Sequence, residues 1–539
     1  MLYLDRKCSI LLCYFFLLNI IGNGVWLLFQ PKWLSFLLII ILSAFCAVIE
    51  IFIFKSIPSH YVRNLFAGAT ILLHNFIGVT DYFLLGHFGF VIDKSVLDTL
   101  LVTNGGEVSE FISEFLSPFI FAIIIIVVII VNAVIYSLSN YIGLFSGCKK
   151  AIFFCAKSCV LFLICCVVLT FIFQIQLQLS TLQYHAFSRV VWEYIRTKNE
   201  EHIGELLHVC QDVKATITNS ESLKIIIIIG ESHSVYHTSL YGYEKKTYPL
   251  MEKRREAGEL FVYDNAITTG DVTYTVMKSV FSLDSMGVAF NETPIFPAVF
   301  KSAGYKTYLY DNEYSVDKSR YFMTDKTLSM LVYTSRNTTS YSYDGDMVDK
   351  IFTPDDSLAL CIFHLKGQHI SYDKRYPERF EVFRAENYNE RFSYNQRKDI
   401  ASYDNACLYN DFVINEIIKK YEDYNSVVVY FSDHGEEVFE LRDYKGHGTA
   451  QSSSNMKYQI RIPLWVWLSQ KYRQNHSQII EKLNNACHAH ITIDDISHFL
   501  LDLARIKTNW FSPSLSFIDP TYNHNKHRYI FDGIDYDDI

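Results

Sequence analysis

The chain has 539 residues, a net charge of −9 and 50% hydrophobic residues, which crowd into its first third. This length suffices for about three average domains. The negative charge gives no global basic signature of nucleic-acid binding. Of the twelve cysteines, eight precede residue 176 and the other four form no Cys-x-x-Cys pair. The pattern indicates no disulfide framework, so a hydrophobic core must hold the soluble part together.

Five apolar stretches in the first third are each long enough to span a bilayer, which takes roughly 20 residues. They are Ser9–Phe29, Leu34–Phe54, Leu65–Leu85, Pro118–Leu138 and Ala151–Phe173. Arg6 and Lys7 precede the first span, and Lys149 and Lys150 precede the fifth. By the positive-inside rule these ends are cytoplasmic. The sequence therefore predicts a five-span domain over residues 1–175, with everything beyond on the far side of the membrane, which is the periplasm in a Gram-negative cell.

The loop between spans three and four lies on that same far side and contains Thr103, Asn104 and Glu107. Thr103 and Glu107 share one face if this piece is helical. A solvated amphipathic loop explains the pattern, and a polar headgroup site at the membrane surface is the alternative. Residues 176–221 are polar with interspersed aromatics, which predicts an interfacial bridging helix and a linker.

From about residue 222, strand patterns alternate with helical patterns. This alternation predicts an α/β domain over residues 222–539, with a central, mostly parallel sheet flanked by helices. Three short apolar runs are typical of buried strands, namely Leu223–Ile229, Leu358–Phe363 and Val427–Phe431. Sites in open α/β sheets form at the carboxyl ends of strands. Glu231 and His369 follow the first two of these strands closely.

Asp433 and His434 stand side by side where the third strand gives way to a loop. A carboxylate oxygen and an imidazole nitrogen are typical ligands of Zn²⁺. The other interpretation is an aspartate that caps the next helix beside an ordinary surface histidine. The convergence of Glu231 and His369 on the same edge of the sheet favours the metal site.

The polar loop Asp264–Ser279 supplies the candidate nucleophiles. Thr273 or Thr275 lies near the start of a predicted helix, whose free N–H groups and dipole suit a phosphate. A hydroxyl coordinated to zinc is activated for attack. A threonine-rich cap and turn explains the same residues without catalysis. Cys361 is a poor nucleophile candidate because it lies inside an apolar strand.

Further short motifs accompany these residues in a fixed order. They are Gly230–Ser232, Leu240–Tyr243, Thr247–Pro249, His364–His369, Arg375–Pro377, Tyr403–Asn405, Ser432–Glu436 and Ile462–Trp465. In this order and spacing the sequence resembles a phosphoethanolamine transferase of the alkaline-phosphatase/sulfatase superfamily. These are inner-membrane enzymes that modify lipopolysaccharide. The resemblance covers nearly the whole chain and implies the fold of that superfamily for the C-terminal domain.

The resemblance also implies roles for individual residues. Glu231, Asp433 and His434 match the zinc ligands of the family. Thr273 matches the catalytic threonine, which completes the zinc shell and carries phosphoethanolamine as a covalent intermediate. Thr275 remains the alternative nucleophile.

Two histidines and two loops complete the set that the resemblance implies. His369 and His447 match histidines that bind the substrate phosphate or a second zinc ion and assist proton transfer. The loop from Thr103 to Glu107 matches a segment implicated in binding the phospholipid headgroup, and Lys318 falls near a family lysine. The implied reaction is zinc-dependent transfer of phosphoethanolamine from phosphatidylethanolamine to lipopolysaccharide, at core heptose or lipid A.

The sequence departs from many lipid A-directed members at several positions. Thr269 and Ser279 stand where those members have cysteines that flank the nucleophile, and Ile370 stands where a glycine often follows the active-site histidine. These features are most similar to the branch that modifies core heptose. The implied enzyme is a multi-pass protein of the bacterial inner membrane with a cytoplasmic N-terminus and a periplasmic catalytic domain.

Two other functions fit part of the pattern. A glycerol-phosphate transferase of the lipoteichoic-acid type shares the five spans and the threonine–zinc centre. A non-enzymatic membrane sensor or transporter is disfavoured because only Glu50 and Asp81 place acidic charge within the spans. An arylsulfatase is disfavoured because no Cys-x-Pro-x-Arg segment is present.

Overall fold

The fold is described from a computed structural model. The structure describes residues 6–25, 33–88, 91–92, 96–97, 103, 105–116, 118–144, 190, 203–218, 221–284, 290–313, 322–323, 325–337, 339–351, 354–441, 443–448, 456–531 and 533–538. The chain divides into two compact units, Met1–Leu100 with Phe111–Glu201 and Leu101–Glu110 with His202–Ile539. The domain boundaries 1–175, 176–221 and 222–539 remain predictions, since residues 176–221 are described only at 190, 203–218 and 221.

All the described secondary-structure elements in the N-terminal part of the chain are helices. Its helices are α1 (Arg6–Asn23), α2 (Trp33–Ser56), α3 (His60–Phe88), α4 (Gly105–Phe115) and α5 (Pro118–Leu144). Within the described ranges, three stretches are long and apolar enough to cross a membrane, namely Ile39–Ser56, His60–Phe88 and Phe119–Tyr141. Lys7–Asn23 is a shorter apolar helix. The predicted span Ala151–Phe173 lies outside the described residues, so the count of five is not confirmed.

Both acidic residues within these apolar helices have partners inside the first unit. Glu50 Oε1 on α2 lies 2.6 Å from His74 Nε2 on α3. Asp81 on α3 accepts a hydrogen bond of 2.8 Å from the backbone N–H of Ile92. Charged side chains within apolar helices usually pair in this way with another side chain or with the backbone.

A seven-stranded sheet forms the centre of the second unit. Its strands are β1 (Leu223–Gly230), β2 (Leu260–Tyr263), β3 (Lys306–Asp311), β4 (Ser335–Arg336), β5 (Leu358–His364), β6 (Ser426–Ser432) and β7 (Leu464–Leu468), in the spatial order β2-β7-β6-β1-β5-β3-β4. Only β7 runs antiparallel to its neighbours, β2 and β6. The predicted mostly parallel sheet and its three predicted strands are therefore confirmed.

Strand β1 shows why this sheet is buried on both faces. Its five consecutive isoleucines, Ile225–Ile229, are fully buried, as expected for a parallel strand covered by helices. Because side chains alternate along a strand, Ile225, Ile227 and Ile229 join the core on one face. Ile226 and Ile228 join the core on the other face. Burying each isoleucine contributes about 1.5–3 kcal/mol before the entropy cost.

Helices cover both faces of the sheet and complete three layers. The helices are α6 (Ile203–Asp212), α7 (Pro249–Glu256), α8 (Thr273–Phe281), α9 (Phe296–Ser302), α10 (Lys326–Val332), α11 (Asp344–Lys350), α12 (Tyr394–Tyr421), α13 (Met456–Ile460), α14 (Gln470–Asn475), α15 (Ser477–Asn485) and α16 (Ile496–Leu503). Helices α8, α9 and α16 pack on the face of the odd-numbered isoleucines. Helices α7, α11 and α12 pack on the opposite face.

Within the described residues, four two-stranded sheets lie outside the main sheet. They join Thr216–Ile217 to Ile506–Lys507, Ala266–Ile267 to Ile491–Thr492, Glu437–Val438 to Lys445–Gly446, and Tyr529–Ile530 to Ile534–Asp535. The third pair is antiparallel and follows directly after β6. It forms a short hairpin that returns the chain toward the end of that strand.

A buried charge network ties this hairpin to helix α12. His237 Nδ1 lies 2.6 Å from Asp404 Oδ1 on α12, and His237 Nε2 lies 3.3 Å from Glu440 Oε1 in the hairpin. Burial acts to lower the pKa of His237, but the charges of Asp404 and Glu440 outweigh it and raise the pKa to about 10. A protonated His237 therefore bridges the two carboxylates.

This network predicts a specific dependence of stability on pH. A histidine with a raised folded-state pKa stabilises the fold fully below its unfolded pKa, and that stabilisation is lost as pH rises toward the folded value. We expect the thermal midpoint of the detergent-solubilised chain, followed by near-ultraviolet circular dichroism, to fall between pH 6.5 and pH 10. The His237→Gln variant should show a flatter curve. His208→Gln, which removes an exposed partner of Asp212, is the matched control and should follow the wild type. Identical curves for His237→Gln and wild type would contradict the expectation.

Candidate metal centre

The register of the sheet brings two acidic residues together. Gly230, the last residue of β1, pairs with Ser432, the last residue of β6. The next residue on each strand is a carboxylate, Glu231 on one and Asp433 on the other. The backbone N–H of Asp433 also donates to the carbonyl of Gly230 at 3.0 Å. Adjacent parallel strands that end in register thus place both side chains at one point of the sheet edge.

Gly367 allows a third strand end to approach this point. It follows β5 and has a positive φ of 49°. A Cβ atom added there would lie 2.7 Å from the carbonyl oxygen of Glu231, closer than real Cβ contacts allow. The next residue, Gln368, donates its backbone N–H to the same carbonyl at 2.9 Å. Glycine at 367 is therefore required for the loop that carries His369 to pack against Glu231.

Four predicted ligands meet at this edge. His434 Nε2 lies 3.3 Å from Glu231 Oε1 and 3.2 Å from Asp433 Oδ2. Thr273 Oγ1 donates to Glu231 Oε2 at 3.1 Å and lies 3.4 Å from His434 Nε2. Glu231, Asp433 and His434 are fully buried, and Thr273 is half-buried. The arrangement supplies three carboxylate or hydroxyl oxygens and one imidazole nitrogen.

The hydrogen bonds around Asp433 and His434 engage one polar atom of each side chain, so that the other atom is available to a cation. Asp433 Oδ1 accepts from the backbone N–H groups of Ser232 (3.1 Å) and His434 (2.7 Å). Asp433 Oδ2 is buried and has no hydrogen-bond partner among the described residues. His434 Nδ1 lies 2.9 Å from the carbonyl of Gly435, which fixes the proton on Nδ1 and directs Nε2 inward. A buried carboxylate oxygen that accepts no hydrogen bond among the described residues and faces an imidazole nitrogen 3.2 Å away fits a site where a metal ion bridges the two atoms.

The charges within the cluster also favour a bound cation. Burial and the charge of Glu231 raise the pKa of Asp433 to about 7. Burial acts to raise the pKa of Glu231 as well, but the His434 imidazolium holds it well below its usual value. Burial acts to lower the pKa of His434, and the two carboxylates outweigh it and raise that pKa to about 10. Without a metal, a proton on His434 therefore supplies the positive charge that the two buried carboxylates demand.

Thr273 and Thr275 occupy different environments. Thr273 is the first residue of α8, and its hydroxyl contacts Glu231 and His434. Thr275 is exposed, and its hydroxyl donates to the carbonyl of Val272 at 2.9 Å. The geometry therefore favours Thr273 as the nucleophile.

Thr269 and Ser279 stand where many lipid A-directed members have cysteines. Thr269 Oγ1 donates to Ser279 Oγ at 3.0 Å, so a buried hydrogen bond joins the two positions in this chain.

His447 lies beside the cluster. Its ring centroid is 4.1 Å from that of His434, and suitable donor atoms of Glu231, His434 and His447 all lie within 4.8 Å of one another. Its Nδ1 lies 2.8 Å from Glu436 Oε2, and Tyr372 donates its hydroxyl to Glu436 Oε1 at 2.5 Å. The carboxylate of Glu436 orients the imidazole so that Nε2 is available to the site. Sequence reasoning missed these roles of Glu436 and Tyr372, although Glu436 lies within the same Ser432–Glu436 motif.

His369 lies near His447, with the two ring centroids 6.5 Å apart. Its Nε2 lies 4.0 Å from Glu313 Oε1. Burial lowers its pKa to about 4, although Glu231 acts to raise it. His369 is therefore neutral near pH 7 and is suited to accept a proton.

The predicted headgroup-binding residues are only partly described. Thr103 is half-buried, and Glu107 lies on α4 with its side chain outside the described part. Asn104 and Lys318 lie outside the described residues. Their predicted role in substrate binding stays a prediction.

Comparison with known proteins places the fold and the site in one family. The sulfatase family profile matches residues 224–506, more than half of the chain. The chain belongs to the sulfatase family. The matched range contains every residue of the candidate metal centre.

Among curated proteins, the chain is similar to phosphoethanolamine transferases. It is 27% identical over 331 residues to phosphoethanolamine transferase EptC of Escherichia coli strain K12, which covers 57% of this chain and 55% of the relative. It is 27% identical over 268 residues to Kdo(2)-lipid A phosphoethanolamine 7''-transferase of the same strain, which covers 48% of this chain and 46% of the relative. The chain thus spans about half the length of the curated relatives that it matches.

Two solved structures share the fold. Lipooligosaccharide phosphoethanolamine transferase A (EptA) from Neisseria meningitidis, an integral membrane protein, matches with a TM-score of 0.65 and 16% identity, covering 94% of this chain and 98% of that chain. The C-terminal periplasmic domain of EcEptC from Escherichia coli, in complex with Zn, matches with a TM-score of 0.51 and 24% identity, covering 60% of this chain and 96% of that chain. The first match extends the similarity of fold to the N-terminal helices.

The charge state of the cluster predicts that metal binding releases protons. A ligating histidine must be neutral, whereas His434 is protonated below about pH 10 without metal. We expect each Zn²⁺ bound near neutral pH to release about one proton from His434 and a fraction of a proton from Asp433, and the affinity for Zn²⁺ to fall as pH falls. Calorimetric titration in two buffers of different ionisation enthalpy measures this release. An observed enthalpy that is the same in both buffers would contradict the described charge state.

Proposed function

We propose that the chain is a zinc-dependent phosphoethanolamine transferase that uses Thr273 as its nucleophile. The observation that carries the proposal is the position of the Thr273 hydroxyl, 3.1 Å from Glu231 Oε2 and 3.4 Å from His434 Nε2 at the start of a helix. A hydroxyl among metal ligands at a helix N-terminus suits attack on a phosphate. The phosphoethanolamine transferases among the relatives support the choice of the group transferred.

Glu231, Asp433, His434 and Thr273 would hold the zinc ion. The Zn complex of the similar EcEptC domain supports this choice of metal, and the buried Asp433 Oδ2 fits it. When bound, zinc lowers the pKa of a coordinated hydroxyl and stabilises negative charge on phosphoryl oxygens. A second zinc ion near His447 is compatible with the donor atoms there.

The first step is the formation of a phosphothreonine. Thr273 Oγ1 attacks the phosphorus of phosphatidylethanolamine, and its proton passes to the carboxylate of Glu231, which already accepts it in a hydrogen bond. The bond between phosphorus and the glycerol oxygen breaks, and diacylglycerol leaves after taking up a proton. His447, held by Glu436, is the candidate proton donor.

The second step transfers the group to the acceptor. A hydroxyl of the acceptor attacks the phosphorus of the phosphothreonine. The bond from phosphorus to Thr273 Oγ1 breaks as Oγ1 takes back the proton that Glu231 accepted in the first step, which regenerates the threonine. His369 is the candidate base for the acceptor proton because its imidazole lies beside His447 and is neutral near pH 7. The two histidines thus have opposite roles, set by their different surroundings.

We propose lipopolysaccharide as the acceptor, at core heptose in the first instance and at lipid A as the alternative. The similarity to the Kdo(2)-lipid A phosphoethanolamine 7''-transferase of Escherichia coli supports this class of acceptor. The enzyme would lie in the bacterial inner membrane, where donor and diacylglycerol remain in the bilayer, with the second unit in the periplasm. The three helices among the described residues that are long and apolar enough to cross a membrane support that location.

Replacing the nucleophile tests the covalent mechanism. We expect Thr273→Ala to lower phosphoethanolamine transfer by more than about 1,000-fold, because it removes the hydroxyl that contacts Glu231 and His434. Thr275→Ala is the matched control: it removes a hydroxyl that donates to the backbone carbonyl of Val272, and it should keep most of the activity. Incubation with phosphatidylethanolamine should add one phosphoethanolamine group to the peptide that contains Thr273, as read by mass spectrometry. Full activity of Thr273→Ala would refute the mechanism, and labelling at Thr275 would reassign the nucleophile.

Mass spectrometry of lipopolysaccharide from cells with and without the gene tests the reaction and its acceptor. We expect phosphoethanolamine on the core oligosaccharide fragment only when the gene is intact, since the acceptor must be a hydroxyl or phosphate exposed to the periplasmic site. Its appearance on the lipid A fragment would keep the enzyme and change the acceptor. Transfer of glycerol phosphate instead would favour the lipoteichoic-acid type of transferase. Unchanged lipopolysaccharide in a strain with active protein would contradict the acceptor class.

A further inference from the structure

Ser232 contacts both carboxylates of the candidate metal centre, although no sequence pattern assigned it a role beyond the family motif. Its hydroxyl donates to Glu231 Oε1 at 2.9 Å. Its backbone N–H donates to Asp433 Oδ1 at 3.1 Å. The residue is fully buried, and its hydroxyl also lies 3.5 Å from His447 Nδ1. One residue thus engages one oxygen of each carboxylate.

The backbone of Ser232 has an unusual conformation that makes these two contacts possible together. Its φ is 57°, in the left-handed region that residues other than glycine rarely adopt. Tyr403 on α12 donates its hydroxyl to the carbonyl of Ser232 at 2.6 Å and accepts from the backbone N–H of Ser234 at 2.9 Å. Strain of this kind persists where the surrounding structure enforces it, and it concentrates at functional sites.

The two contacts of Ser232 leave the other oxygen of each carboxylate directed into the site. Glu231 Oε2 accepts from the Thr273 hydroxyl, while Asp433 Oδ2 has no hydrogen-bond partner in the part of the chain that the structure describes. A carboxylate that is not held can rotate and present either oxygen. Groups that hydrogen-bond to metal ligands fix their orientation and raise metal affinity.

We propose that Ser232 is a positioning residue that orients Glu231 and Asp433 for zinc. The inference rests on the proposed zinc site and extends it to a residue that touches neither the metal nor the substrate. The hydroxyl fixes Glu231 so that Oε2 faces Thr273. The backbone N–H, aimed by the left-handed turn, fixes Asp433 so that Oδ2 faces His434. The strained serine at this position is thereby explained by the two carboxylates that it serves.

Zinc affinity of the full detergent-solubilised chain, measured by competition with a chromogenic chelator, tests the proposal. Ser232→Ala removes the hydroxyl and keeps the Cβ atom and the backbone N–H. We expect it to weaken zinc binding by about 10–100-fold. Ser234→Ala is the matched control, because Ser234 is equally buried and its hydroxyl accepts from the backbone N–H of Tyr236, away from both carboxylates. That variant should bind zinc as the wild type does.

A second variant and a second readout separate positioning from folding. Ser232→Gly relieves the left-handed strain while it also removes the hydroxyl, so it should fold at least as readily as Ser232→Ala and still bind zinc more weakly than the wild type. Thermal midpoints in excess chelator report folding without metal. The visible absorption of the Co²⁺-substituted protein should differ between wild type and Ser232→Gly, because the Glu231 carboxylate is held differently.

The outcomes are distinct. Weaker zinc binding in both Ser232 variants, with Ser234→Ala unchanged, supports the proposal. Zinc affinity in Ser232→Ala and Ser232→Gly equal to that of the wild type overturns it and leaves the proposed transferase function standing. A wild-type chain that binds no zinc overturns the inference and the proposed metal site together.

Discussion

Burial of two carboxylates and an imidazole at one edge of the sheet constrains the rest of the catalytic unit. Glu231, Asp433 and His434 are all fully buried. Two like charges about 4 Å apart repel by about 4 kcal/mol at the effective dielectric constant typical near a protein surface, and removing them from water adds further cost. Such a cluster persists only with a compensating positive charge. A proton on His434 supplies that charge in the absence of metal, and a divalent ion supplies more of it.

The fold meets this constraint with a rigid support. Five isoleucines of β1 pack into separate cores on the two faces of the sheet, and the strand is hydrogen-bonded to β5 on one side and to β6 on the other. The fixed register of β1 and β6 then sets the separation of Glu231 and Asp433. Helix α8 brings the Thr273 hydroxyl to the same point. The chemistry that we propose depends on this preorganisation, since the residues are in contact before any substrate arrives.

Much of this centre could be predicted from the sequence because its ligands follow strands directly. Glu231 and Asp433 each come one residue after a strong strand pattern, and parallel strands deliver such residues to one edge. The choice between Thr273 and Thr275 could not be made, because it depends on where helix α8 begins relative to Glu231. Contacts between residues far apart in the sequence could not be predicted either. Tyr372 reaches Glu436 across 64 positions of sequence, and no local pattern marks that pair.

For the apolar N-terminal helices, the sequence predicted the elements but not the contacts between them. Hydropathy predicted the helices α2, α3 and α5 well, because a long apolar run admits few other structures. The partners of Glu50 and Asp81 could not be predicted, since they depend on how the helices pack. Sequence periodicity reveals which residues are buried and leaves open which residues they meet.

Anomalous X-ray diffraction at the zinc edge, from crystals of the zinc-loaded protein, would locate the metal. We expect a zinc peak about 2 Å from Asp433 Oδ2, His434 Nε2, Glu231 and Thr273 Oγ1, the usual length of zinc bonds to oxygen and nitrogen. A second peak beside His447 would be compatible with it. The absence of a peak at the four ligands, or zinc held only by the exposed group His527, Asp535 and Asp538, would contradict it.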